Sequence, residues 1–161
     1  MLYTTLGKTN RKVSRIGFGG CPAGVKNYVE TYDPDKTDDY GEGVLAARRA
    51  YELGINYFDT APGYGNGLSE QIIGEALDGV PGENLFLATK VRYNEEPDVF
   101  KSLEGSLTRL RREHIDLLQL HGEKQLMKNL SSIWDDITYR KIYITGGCAS
   151  VECGHYLSGS V

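Results

Sequence analysis

Four residues in this sequence have types that can move a proton together: Asp59, Tyr64, Lys90 and His121. A phenol with an ordinary pKa of about 10 is a poor acid at neutral pH. A nearby ammonium stabilises the phenolate and makes the phenol a better acid. A carboxylate can hold that ammonium in place, and a histidine can donate a hydrogen bond to a substrate carbonyl. Such a set can protonate a carbonyl oxygen while a hydride arrives at the carbon. Each residue also has a plainer reading. Asp59 can cap a turn, Tyr64 can be one of eleven tyrosines packing on a loop, and Lys90 and His121 can simply end strands. Position favours the joint reading, so the elements that carry the residues come next.

Residues 55–61 (INYFDTA), 84–91 (NLFLATKV) and 115–121 (IDLLQLH) are short β-branched, aromatic or apolar runs, as buried strands are. Asp59, Lys90 and His121 fall at their C-terminal ends, and Tyr64 lies in the loop after the first of them, where Gly63 and Gly65 make the bend. Between the strands lie helical patterns. Residues 44–53 are alanine-rich and stop at Gly54. Ser69 is placed to cap a helix with Glu70 in its first turn, ending at Gly79. Pro97 opens a third helix, with Val99, Leu103, Leu107 and Leu110 at helical spacing and Arg109, Arg111 and Arg112 near its C-terminal dipole. Before all of these, residues 12–20 read as a strand running into a glycine turn. Residues 2–11 can pair with it as a hairpin turning at 8–10, and residues 26–43 form a polar loop. Strands recurring about every 30 residues between helices predict βαβ units and a parallel sheet. A doubly wound sheet and a (β/α)₈ barrel both satisfy this. In either one, the four candidates share the C-terminal end of the sheet, the end that carries chemistry in barrels.

Composition narrows the partners. The chain has 161 residues, 40% hydrophobic and 25% charged, with a net charge of −4, which suits one globular domain. There is no basic stripe for nucleic acid and no apolar run of the ~20 residues that cross a bilayer. Cys21, Cys148 and Cys153 make an odd count, and no signal-peptide core precedes them. A reducing cytoplasm is therefore expected, and no metal site is. Residues 17–24 (GFGGCPAG) lack the GxGxxG register that a doubly wound phosphate-binding module needs.

The segments LGKTNRKVSRIGFGG, GINYFDTAPGYGNGLSE, ATKV and SLEGSLTRLRREHIDLLQLHG occur in the order and spacing that resembles the aldo-keto reductase family, over about residues 2–122. The resemblance implies an α/β fold, a (β/α)₈ barrel with an N-terminal β-hairpin. It implies NADPH, or less often NADH, as cofactor, and reduction of aldehydes or ketones to alcohols. Motif by motif, the family's catalytic tetrad falls on Asp59, Tyr64, Lys90 and His121. Tyr64 is the implied acid, Lys90 its modulator, Asp59 the partner of Lys90, and His121 the group that orients a small carbonyl substrate. Gly19, Gly20 and Asp59 are implied near the nicotinamide.

After Gly122 the motifs stop. A full barrel takes about 250 residues, so the expectation is the first four βα units of one, truncated. Residues 123–161 are then a divergent tail with a helix-like stretch (Leu126, Leu130, Ile133, Trp134 and Ile137) and a strand at KIYITGG. Gly146 and Gly147 stand where the family has a Ser-Asn pair. Residues 131–147 instead resemble a segment of the beta-L-arabinofuranosidase family of glycoside hydrolases. Open sheet edges make pairing with a second copy an expected outcome. Two readings of function stand side by side: a reductase, and a non-catalytic half-barrel remnant that binds no cofactor.

Overall fold

A computed structural model of the chain describes residues 1–29, 31–91, 99–121 and 144–146. Pro97, the helix-like stretch at 126–137 and most of the segment at 131–147 lie outside the described residues.

The chain opens with a hairpin. Strand β1 (Tyr3–Thr5) pairs antiparallel with β2 (Lys12–Ser14), Thr4 opposite Val13. Gly7 and Asn10 take positive φ in the turn between them. The expected single strand over 12–20 is instead two. Ser14 donates its N–H to Asn56 Oδ1 (2.6 Å) and its hydroxyl to the Ile16 carbonyl (2.7 Å). These bonds turn the chain out of the hairpin before it re-enters a second sheet as β3 (Phe18–Gly19).

That second sheet is parallel throughout and runs β3-β4-β5-β6-β7, with β4 at Tyr57–Asp59, β5 at Phe86–Val91, β6 at Leu117–Leu120 and β7 at Ile144–Gly146. Strand β7 lies within the stretch expected to be a strand, and Gly146 pairs with Leu120 of β6. A short α1 (Cys21–Gly24) follows β3; the long helices are α2 (Thr37–Glu52), α3 (Leu68–Ala76) and α4 (Val99–Leu110). Part of the predicted polar loop is therefore helix: α2 begins at Thr37, with Asp38 and Asp39 in its first turn. There they complement the positive end of the dipole, so a polar sequence enters a helix without an apolar stripe.

The two faces of the sheet are covered differently. Phe58 and Leu87 pack with Ala47 and Ala50 of α2, Ile73 and Ala76 of α3, and Leu110 of α4. All three long helices thus cover one face. The opposite face carries Tyr57, Phe86, Ala88 and Leu117, closed below by Val13 of the hairpin. A doubly wound sheet has helices on both faces. Helices on one face, with side chains and a hairpin plug on the other, are the layout of a barrel wall.

Candidate active site

Alternation along the strands decides which side chains enter the barrel side. On β5, Phe86 and Ala88 belong to the inner cluster, so Lys90, two residues on, shares their face. By the same step Asp59 follows Tyr57 on β4, and Gln119 follows Leu117 on β6. The register sets their heights: Asp59 lies opposite Ala88, and Lys90 opposite Gln119. Above the apolar layer the inner face therefore turns polar at the C-terminal end. A cleft of about 570 Å³ lined by Tyr3, Lys12, Glu52 and Asn56 lies at the hairpin end and includes none of these groups.

The cluster centres on Lys90, whose side chain is only 11% exposed. A buried ammonium needs charge and hydrogen bonds around it. Lys90 Nζ donates to Asp59 Oδ1 at 2.5 Å and to the Thr60 carbonyl at 2.9 Å. The second oxygen of Asp59, Oδ2, accepts from Gln119 Nε2 at 2.8 Å. Nζ also faces the ring of Tyr64, 4.8 Å from its centroid. The Tyr64 and His121 rings meet edge to face at 5.8 Å and 82°, and the His121 N–H donates to the Val91 carbonyl (2.9 Å), holding that residue at the mouth of β6. All four residues singled out from the sequence come together. Gln119 is the neighbour that sequence reasoning missed. Its signal was the two-residue period ending at His121, in LQLH.

The loop bearing Tyr64 is seated by backbone bonds and close packing. The Tyr64 carbonyl accepts the Ser69 N–H, and the Tyr64 N–H donates to Ala61. Gly65 has φ +62°, and a Cβ there would lie 1.7 Å from the Gly24 carbonyl oxygen. Only glycine allows the loop this close to α1. Ser69 is not the helix cap expected of it; Gly67 holds that position. Ser69 Oγ is buried and donates to the Gly20 carbonyl (2.7 Å), with Thr60 Oγ1 also 2.7 Å away. The hydroxyl thereby joins the loops after β3 and β4.

The two glycines differ. A Cβ on Gly20 would meet Ser69 Oγ at 2.4 Å and Ile73 Cδ1 at 2.8 Å, and its N–H is bonded to the Asp59 carbonyl at 2.7 Å. Gly20 is a packing glycine. Gly19 is paired with Asp59 and has open space where a Cβ would be. Burial pushes the Cys21 thiol up from its ordinary pKa, and the nearby charge of Lys90 pulls part of that back. Burial also pushes the Tyr57 phenol up, reinforced by the negative Asp59 above it.

The aldo/keto reductase family model matches residues 15–139. The chain belongs to this family. The match runs past Gly122 and covers the whole cluster. Among curated family relatives, L-galactose dehydrogenase of Arabidopsis thaliana is 41% identical over 124 residues, which is 72% of this chain and 36% of the relative. A solved thermostable aldo-keto reductase, Tm1743, in complex with the inhibitor epalrestat, superimposes with a TM-score of 0.71 at 31% identity, covering 91% of this chain and 53% of the other. The holo form of the aldo-keto reductase AKR11C1 from Bacillus halodurans superimposes with a TM-score of 0.68 at 28% identity, over 91% of this chain and 50% of the other. The chain thus spans about a third to a half of the length of these family members, and its fold is the corresponding part of an α/β barrel.

Proposed function

We propose that the described residues carry the proton-donating part of an NAD(P)H-dependent carbonyl reductase site, with NADPH the preferred cofactor and an aldehyde or ketone the substrate. The observation that carries this reading is the convergence of Asp59, Lys90, Tyr64 and His121 at the C-terminal end of the inner face, linked by the contacts at 2.5, 4.8 and 5.8 Å.

Tyr64 is the acid. Its hydroxyl proton goes to the carbonyl oxygen of the substrate, and the phenolate left behind has the Lys90 ammonium beside its ring, 4.8 Å from the centroid. Asp59 and the Thr60 carbonyl keep that ammonium at its post, because a lysine head is a compact charge on a flexible stem. His121, against the edge of Tyr64, orients the carbonyl oxygen toward the phenol. When bound, the cofactor supplies the hydride. The residues beside the cluster fit a flat ring: Gly19 leaves open space next to Asp59. Gly19 and the Asp59 carboxylate are the groups that would hold the nicotinamide end, while Gly20 supports them from behind through Ser69.

Calorimetric titration of the purified chain with NADPH and NADH, followed by assays on simple aldehydes, tests the reading. Micromolar NADPH binding with turnover is expected, and Tyr64→Phe should lower turnover by about 10² to 10⁴ while cofactor affinity stays the same. No binding at millimolar cofactor would leave the cluster as an inherited arrangement without the reaction.

A further inference from the structure

The Asp59 carboxylate has two oxygens, and the structure gives each a different donor. Oδ1 takes the Lys90 ammonium at 2.5 Å, and Oδ2 takes the Gln119 side-chain amide at 2.8 Å. The two donors come from different strands. Gln119 sits directly opposite Lys90 in the β5–β6 register and reaches past β5 to the end of β4. We propose that Gln119 is a positioning residue of the proton-donating cluster: it sets the plane of the Asp59 carboxylate and thereby keeps the Lys90 ammonium facing Tyr64. The inference rests on the reaction read above.

The torsion that turns a carboxylate about its stem is broad. With one partner only, Asp59 can swing and present either oxygen, or both, to Lys90. Lys90 has no rigid fork of donors and goes where its acceptors lead. The Thr60 carbonyl is fixed by the backbone, so Asp59 is the acceptor whose orientation varies. A second donor on Oδ2 removes that freedom. The chemistry of position 119 is also selective. A lysine or arginine there would compete with Lys90 for the same charge. A glutamate would repel Asp59. A leucine would leave Oδ2 without this donor. A neutral amide donates one hydrogen bond and adds no charge.

The test uses the full chain labelled with ¹⁵N-lysine, the Lys90 ammonium signal being assigned by its loss in Lys90→Met. Gln119→Leu removes the donor, and Gln119→Glu keeps the shape while reversing the interaction. Both are expected to shift the Lys90 signal and to speed exchange of its protons with water, while amide signals away from β4–β6 stay in place. In aldehyde reduction, kcat should fall about tenfold or more, with the KM for NADPH unchanged. The glutamate variant should show the larger loss. Lys90 signals and kcat values like those of the wild type in both variants would overturn the proposal. If the wild-type chain reduces no carbonyl, the reaction reading falls, and the ammonium spectrum alone decides the role of Gln119. A shifted signal then supports it, and an unshifted one overturns it. If Gln119→Leu fails to fold, the near-isosteric Gln119→Glu decides on the same readouts.

Discussion

An ammonium on a four-carbon stem stays where its acceptors hold it, and Lys90 has two on β4 and the residue after it, Asp59 and Thr60. That location puts its charge within reach of Tyr64 and of Cys21. Cys21 therefore reports on Lys90 without any substrate. Its thiol is held above the ordinary range by burial, so less thiolate is present near pH 8 than on an open peptide. Alkylation follows the thiolate and should be slower than that of a free thiol, rising as pH climbs through the elevated pKa. Lys90→Met removes a charge that pulls the pKa back down, so alkylation should slow further. Peptide mapping by mass spectrometry separates Cys21 from the other two cysteines. A faster reaction in Lys90→Met would mean that the ammonium does not act on this end of the barrel.

The elements behind the site are tied by a polar contact that the cluster does not use. Glu70, in the first turn of α3, is fully buried; it accepts from Thr89 Oγ1 on β5 and Arg109 Nε on α4, both at 2.6 Å. Thr89 precedes Lys90, and Glu70 follows the loop of Tyr64, so this pair joins the helix layer to the two elements that carry Tyr64 and Lys90. Arg109 had been expected merely to complement the end of its own helix. Arg112, expected to do the same, donates instead to the Leu77 and Val80 carbonyls beyond α3, at 2.5 and 2.6 Å. Removing the cation alone strands a buried carboxylate. Arg109→Ala should destabilise the fold by about 3 kcal/mol; because Arg109 is 29% exposed, the low end of the usual range applies. Glu70→Gln keeps the shape and the acceptor for Thr89, and it should lose less. Urea unfolding of the two variants orders them. An Arg109→Ala protein as stable as the wild type would show that water reaches Glu70 readily.

At the scale of the molecule, the polar cluster and the hairpin plug occupy opposite ends of one wall. The hairpin plugs the lower end with Val13 and is fastened by Asn56, whose amide donates to the Lys12 carbonyl (2.9 Å). Arg11 also bridges to Asp116 at 2.7 Å. Val13→Ala should cost roughly 1.5–2 kcal/mol of stability, about two buried methylenes, while turnover per folded molecule stays the same. Thermal unfolding and active-site titration read the two quantities separately. A loss of turnover in the folded fraction would show that the ends are coupled. Among the described residues no helix is long and apolar enough to cross a membrane.

The sequence by itself determined the alternation of strands and helices, the parallel sheet, and which residue types stand at the strand ends. Those features are local. A strand run, a helix stop at Gly54 and the position of Lys90 at the end of ATK depend on near neighbours along the chain. The order of the motifs also identified the family before any coordinate did. The pattern of elements left the barrel wall and the doubly wound sheet open, and only the family resemblance pointed to the barrel; the tertiary structure shows it directly, because that choice is which face the helices cover. Likewise only the structure placed Gln119, Ser69 and Glu70 against their partners. Each acts across 9 to 60 positions of sequence, through a register that no local pattern encodes. A glutamine next to a histidine motif reads as an ordinary polar residue until strand pairing puts it opposite Lys90. A serine before an apolar helix reads as a cap until packing draws its hydroxyl inward to Gly20.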